Sequence, residues 1–259
     1  MSELKAKAKR LGFRGMVARW EEYANQTWVK KLLEEEMAER ESLSLARRVR
    51  EAKIGQFKPL AEFDWSWPTT VDRELVEGLF NFKFLEEGAN VVLVGTNGLG
   101  KTMVAQNLVY QALIAGHDAR FIKASQLLTE LADCDGAYAR KRRLNKYSKV
   151  DLLAIDEVGY LSYDNHYADL LYEVITGRYP KLSTIITTNR SFEEWGQIFP
   201  NAACVVTLVD RLMHKAEMVV IEGESYRHKE AKERAEAREK QRKEKKTKKK
   251  QKDDTSGGR

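Results

Sequence analysis

Four short runs of the chain read as strands: Asn90-Val91-Val92-Leu93-Val94 and Val150–Ile155 are largely apolar on successive positions, Ala119–Lys123 is a second strand-like run, and Thr184–Asn189 is rich in β-branched residues. Strands that bury both faces read this way, whereas half-exposed strands alternate. Between them lie helical stretches: Met103 to Ala115, a segment from about Gln126 with Ser125 as its N-cap, and Tyr160 to Tyr179. Strand and helix in alternation predict an α/β fold, a parallel sheet flanked by helices. Residues 1–58 differ. They contain no proline, are dense in Glu, Lys, Arg, Ala and Leu, and carry a broken apolar stripe at Leu4, Leu11, Val17, Trp20, Ala24, Trp28, Leu32 and Leu33, interrupted near Gly12 and Gly15. Such spacing predicts a small helical N-terminal domain. Gly55, Pro59 and Pro68 then mark a linker,. Inside it Leu60, Phe63, Trp65 and Trp67 are placed either to cover a bound base or to staple the two parts together,.

Charge divides the chain again. The 259 residues carry a net charge of +6, but the stretch 229–259 holds 14 Lys and Arg against 7 Asp and Glu, so the body is close to neutral. The expected organisation is a helical module at 1–58, a nucleotide-binding domain at 59–228 and a disordered basic tail at 229–259. The tail suits either attraction to nucleic acid or simple solvation. Cys134 and Cys204 stand far apart, without the spacing of a disulfide framework or a zinc site,. The N-terminus is charged from Glu3, and no apolar run approaches the ~18 residues a membrane span needs, so no membrane partner and a cytoplasmic location are expected,.

The chemistry centres on Gly95-Thr96-Asn97-Gly98-Leu99-Gly100-Lys101-Thr102, which fits G-x-x-x-x-G-K-[ST] between a strand and a helix,. Its glycines let backbone N–H groups close around phosphate oxygens, Lys101 reaches the β and γ phosphates, and the Thr102 hydroxyl is placed for Mg²⁺. Asp156 and Glu157 end an apolar strand at the carboxyl edge of the sheet, where such sheets bind ligands,. There Asp156 would hold the metal and Glu157 would polarise an attacking water, which makes the ligands ATP and Mg²⁺. Asn189, at the end of the next strand, is placed either to orient that water or simply to form a turn. Arg178, Arg211 and Arg227 compete for a role in neutralising the transferring phosphate, one of them from a neighbouring subunit,. The most basic stretch of the body includes Arg140, Lys141, Arg142, Arg143 and Lys146, flanked by Tyr138 and Tyr147; it reads either as a solvated helix face or as a grip on nucleic-acid phosphates,. His166 has no second metal-type residue spaced with it and is read as a surface or packing residue,.

With these motifs in place, residues 1 to about 230 resemble the IstB-type transposition helper ATPases of bacterial insertion sequences, a branch of the AAA+ superfamily close to the DnaC and DnaI helicase loaders. Beyond the phosphate loop the resemblance rests on Arg47-Arg48…Ala52-Lys53, Leu60-Ala61-Glu62-Phe63-Asp64, Asp151 through Tyr160, and Thr187-Thr188-Asn189-Arg190. The most discriminating part is Asp210-Arg211-Leu212-Met213-His214 followed by Gly223-Glu224-Ser225-Tyr226-Arg227. One departure is Thr96-Asn97, where many members carry Pro-Pro or a similar pair. The resemblance implies that Asn189 is the sensor 1 residue, Arg211 an arginine finger acting in trans, and Arg227 a second sensor near the γ phosphate, with Arg178 a weaker candidate. It implies that Arg140–Lys146 faces DNA, and that a C-terminal lid domain is absent or nearly so. It further implies ATP-driven assembly of a homo-oligomer on double-stranded DNA, stimulation of a partner transposase, and reset by hydrolysis. A replicative helicase loader and a nucleotide-gated DNA-binding scaffold are the alternatives.

Overall fold

The computed structural model describes residues 2–160, 165–199 and 204–238. Its centre is a sheet in the order β1-β6-β2-β5-β4-β3, formed by β1 (Thr70–Val71), β2 (Asn90–Gly95), β3 (Ala119–Lys123), β4 (Leu152–Val158), β5 (Ser183–Thr188) and β6 (Ala216–Glu222). All neighbours are parallel except β1, which runs antiparallel to β6. The runs expected to be strands are β2 to β5; β1 and β6 were not anticipated. In β6, Met218, Val220 and Glu222 face solvent while Val219 and Ile221 are buried, so its pattern is that of a strand covered on one face only,.

The chain enters through α1 (Glu3–Arg10), α2 (Arg14–Ala18), α3 (Trp20–Tyr23) and α4 (Thr27–Ala52). Ala8, Leu11, Val29 and Leu33 form a small core there, with Phe13, Val17 and Trp20 against it. Two members of the expected stripe point outward instead, Trp28 and Leu32, because α4 turns Val29 and Leu33 inward. The end of α4 leaves this cluster: Leu45, Val49 and Ala52 pack on the sheet core, and Arg120 of β3 donates to the Glu51 carbonyl at 2.9 Å. Two short helices, α5 (Arg73–Gly78) and α6 (Lys83–Glu86), lead into β2.

Alternate residues of the central strands feed two layers. Leu152 and Ala154 of β4 and Ile185 of β5 join α7 (Lys101–Ile114) on one face. Leu153, Ile155 and Ile186 join α8 (Ala124–Ala132), α10 (Asn165–Arg178) and α12 (Cys204–Met213) on the other. α9 (Ala137–Ser148) and the short α11 (Trp195–Ile198) add buried Tyr147 and Trp195 to this second layer. The expected N-cap at Ser125 is displaced: α8 begins at Ala124 after extended Lys123, so Ser125 lies inside the first turn. Residues 226–238 are helical, so the first ten residues of the expected disordered tail are ordered, and 239–259 lie outside the described residues. No helix among the described residues is long and apolar enough to cross a membrane.

Candidate functional site

β2 delivers the glycine-rich turn to the carboxyl edge of the sheet, and α7 starts directly from it with left-handed Gly100 (φ 91°) as its N-cap. Two glycines are required by close neighbours as well as by φ. A Cβ on Gly98 (φ 81°) would come within 2.1 Å of Ser225 Oγ, and one on Gly100 within 2.4 Å of the Phe63 ring,. Lys101 is 5% exposed, and its ammonium donates to the carbonyls of Gly95 and Thr96 at 2.6 and 2.8 Å. Burial pulls its pKa down to about 8, against the opposing pull of Asp156,.

A β-bulge arranges the two carboxylates. The β4–β5 register shifts between Ile155 and Val158, and Glu157 takes a left-handed φ of 63° that a non-glycine residue adopts at a cost of about 1 kcal/mol or more,. The bulge sends Asp156 inward and Glu157 toward the cavity. Asp156 is 1% exposed and accepts hydrogen bonds from Thr102 Oγ1 at 3.0 and 3.2 Å and from Thr187 Oγ1 at 2.5 Å. Burial raises its pKa, although both hydroxyls oppose this. Thr187 also accepts the Glu157 backbone N–H at 2.9 Å, so one hydroxyl ties both acidic positions to β5. The Glu157 carboxylate lies 2.8 Å from Lys123 Nζ, whose pKa this hydrogen bond raises. Tyr160 donates its hydroxyl proton to Asn97 Oδ1 across the mouth of the loop.

Around these groups is a cavity of about 560 Å³, lined by the loop, Glu157, Thr187, Tyr160, Arg227 and the linker residues Phe57, Phe63 and Trp67. The linker aromatics thus divide. Phe63 and Trp67 wall the cavity, whereas Trp65 packs on Phe63 and lies under Arg73, and the Leu60 N–H donates to Asn107 Oδ1 at 3.0 Å as a staple to α7. Asn107 also donates to the Lys58 carbonyl at 2.9 Å, and Gln106 to that of Ile54 at 2.9 Å. The residues present suit a nucleotide with Mg²⁺. The loop offers donors and a cation, and Thr102 and Asp156 offer adjacent oxygens to a hard cation that takes few protein ligands.

The remaining predicted residues fall in three places. Asn189 follows β5, and its side-chain carbonyl oxygen is buried with no hydrogen-bond partner among the described residues. Arg211 does not line the cavity. Its guanidinium donates to Thr176 Oγ1 and lies over Tyr172 and Tyr179, with centroids 5.0 and 5.7 Å away, and its carbonyl meets the Asn90 side chain at the amino end of β2. Roughly 17 Å of strand, at ~3.3 Å per residue, therefore separates it from the loop of its own chain. Arg178 is 1% exposed and donates to the carbonyls of Tyr147, Val150, Asp151 and Ser183, and to Thr184 Oγ1. These lie at the amino ends of β4 and β5, so Arg178 is a structural plug on the edge away from the phosphate loop.

The basic run lies on α9, where Lys141, Arg142 and Arg143 are exposed and Arg140 and Lys146 half-buried. Two of the five are engaged. Glu130 of α8 takes Arg143 at 3.0 Å and Lys146 at 3.7 Å, accepts the Tyr147 hydroxyl, and meets Lys53 at 3.4 Å. Burial alone would raise the Glu130 pKa, but the Tyr147 and Arg143 hydrogen bonds with the charges of Lys146 and Lys53 bring it down to about 2. His166 is exposed on α10, as a surface residue. Sequence reasoning missed Thr187, Lys123, Tyr160 and Glu130, each of which acts across strands or helices that only the fold brings together.

The family described as IstB-like ATP binding protein matches residues 6–235. A protein named as the ATP-binding protein of insertion sequence IS21 from Pseudomonas aeruginosa is 33% identical over 198 residues, 76% of this chain and 75% of that one. Its counterpart in insertion sequence IS5376 from Geobacillus stearothermophilus is 32% identical over 200 residues, 77% of this chain and 80% of that one. Among solved structures, the DnaC helicase loader superposes with a TM-score of 0.51 at 22% identity, covering 68% of this chain and 99% of that one. DnaI gives 0.51 at 18% identity over 64% and 89%. At such identities the likeness is one of fold alone, the AAA+ P-loop fold.

Proposed function

The chain belongs to the IstB-like ATP-binding protein family, and from that premise we propose that it is an ATP-hydrolysing helper of transposition. It assembles on double-stranded target DNA with ATP bound, stimulates a partner transposase, and is reset by hydrolysis. The observation that carries the ATPase half is the bulge in β4, which aims Glu157 into the cavity while Asp156 stays on Thr102.

In this reading Lys101 exchanges the carbonyls of Gly95 and Thr96 for phosphate oxygens, and Thr102 with Asp156 holds Mg²⁺. Bound there, the metal supplies positive charge against the phosphates. Glu157 takes a proton from a water whose oxygen bonds to the γ phosphorus as the β–γ bridging bond breaks. Asn189 brings an otherwise unpartnered carbonyl to that water, and Arg227 adds charge from the cavity wall. Arg211, turned from its own loop, serves the loop of a neighbouring subunit, which makes a homo-oligomer part of the mechanism. Arg140, Lys141 and Arg142 meet DNA phosphates, with Arg143 and Lys146 holding α9 in place as well as adding charge. The helicase-loader reading has only likeness of fold behind it.

The test combines two variants. Lys101→Ala abolishes ATP binding in a direct titration, and unchanged affinity overturns the loop assignment. Glu157→Gln retains ATP without turning it over and accumulates oligomer on duplex DNA, seen by sedimentation. Normal turnover in that variant removes Glu157 from the water-activating role.

A further inference from the structure

Two segments far apart in sequence roof the cavity, and they grip each other through groups that none of these roles requires. From the linker come Lys58, Asp64 and Trp67; from the start of helix 226–238 come Tyr226, Lys229 and Glu230. Lys229 Nζ lies 3.1 Å from Asp64 Oδ2 and stands 4.3 Å from the Trp67 ring centroid and 5.2 Å from that of Tyr226. The next residue, Glu230, reaches back to Lys58 at 3.2 Å. Trp67 donates its indole N–H to the Glu224 carbonyl at 2.7 Å, and its ring meets Tyr226 edge to face at 6.1 Å. Asp64 is itself held by Ser66, whose hydroxyl and N–H donate to it at 2.6 and 3.1 Å.

These contacts set an orientation. Successive positions on a helix lie about 100° apart, so ion pairs at 229 and 230 to two points of one linker fix the rotation of the helix about its axis. Its start is fixed separately: the Tyr226 N–H donates to the Gly98 carbonyl at 2.9 Å, and Ser225 occupies the space a Gly98 side chain would need. With start and rotation set, the direction of Arg227 follows, and it lines the cavity beside Lys101 and Glu157.

We infer that Lys229 is a positioning residue for Arg227: clamped between the Asp64 carboxylate and the Trp67 and Tyr226 rings, it locks helix 226–238 against the linker and so holds the Arg227 guanidinium at the phosphate end of the cavity. The inference rests on the reading of Arg227 as a group that meets the γ phosphate. A clamp of this kind separates ATP from ADP, since only ATP offers Arg227 the terminal phosphate.

The experiment measures dissociation constants for a non-hydrolysable ATP analogue and for ADP in Lys229→Met, Lys229→Arg, Arg227→Ala and the Arg227→Ala/Lys229→Met double variant of the full chain. Arg227→Ala is expected to cut the preference for the triphosphate about tenfold, the scale of a charge-assisted contact. Lys229→Met cuts it about threefold with ADP affinity unchanged, on the scale of a surface ion pair. Lys229→Arg restores the preference, and in the Arg227→Ala background Lys229→Met changes nothing further. Equal weakening of both nucleotides by Lys229→Met, no change, or an equal loss in the Arg227→Ala background overturns the positioning role. An unaltered preference in Arg227→Ala instead removes the reading of Arg227 on which it rests. If Lys229→Met does not fold, Asp64→Asn breaks the same pair from the linker side and carries the same expectation.

Discussion

Lys101 lies buried on its own loop carbonyls, with a pKa near 8 against 10.5 for a free lysine. Above pH 8 the free protein therefore lets this proton go, while a bound triphosphate calls it back. ATP binding is expected to take up one proton there, and affinity to fall by up to about tenfold per pH unit between 8 and 10. Calorimetry in buffers of different ionisation enthalpy reads the uptake directly; a flat affinity across that range would mean that the lysine keeps its proton when buried. The unfolded chain binds the Lys101 proton up to 10.5, so the same group makes the free protein more stable as pH rises through this window. Arg178 makes a different prediction. Burial lowers its pKa to about 9, and the four carbonyls it serves have no substitute donor of that reach. Arg178→Lys should cost about 2–4 kcal/mol in urea unfolding while leaving nucleotide affinity within about twofold, because it leaves buried acceptors unsatisfied far from the loop. Residue type and spacing alone do not separate Arg178 from Arg211 or Arg227, and only the family resemblance ranks Arg178 below them; their distances from the loop are set by strand direction and not by spacing.

At the level of elements, α9 carries five basic residues but presents them unequally. Arg143 and Lys146 are drawn onto Glu130, leaving Lys141 and Arg142 as exposed charges that form no ion pair among the described residues. Removing Lys141 or Arg142 should lower the salt slope of duplex-DNA binding by about one each, as the loss of a phosphate contact does, whereas Glu130→Gln should loosen α9 itself. Binding isotherms across salt concentrations check the first expectation. Since the Glu130 pKa is brought down to about 2 from 4.5, its contribution to stability is present above pH 4.5 and disappears as pH falls toward 2,. The basic run was legible, but not its partition, because Glu130 reaches it from another helix. The strands show the same division. β2 and β4 announce themselves as apolar runs and β3 and β5 as β-rich ones, whereas in β6 the equally apolar Met218-Val219-Val220-Ile221, set between Glu217 and Glu222, hides an alternation of open and covered sides that only the fold reveals. The bulge at Asp156–Glu157 left no trace in composition, although the site depends on it.

For the molecule as a whole, the position of Arg211 bears on the proposed cooperation between subunits. On the proposed reading of Arg211 as an arginine finger, its place roughly five strand steps from its own loop assigns it to the site of another chain. Arg211→Ala and Lys101→Ala proteins should each lose hydrolysis, by ~10³ or more for a finger acting on phosphoryl transfer, and an equimolar mixture should recover activity well above either alone. Turnover measured against mixing ratio tests this; a mixture no better than its parts would place the needed arginine within one chain.

The sheet order has one more consequence, for the order in which the protein can be made. β6, formed by residues 216–222, lies between β1 and β2, so the edge of β2 opposite β5 stays unpaired until nearly all the described chain has left the ribosome. At ~5–20 residues per second that is an interval of roughly ten seconds in which an apolar strand edge is open to wrong partners. A nascent chain arrested before residue 216 should hold no nucleotide and should recruit chaperones, while one released past 230 should do neither.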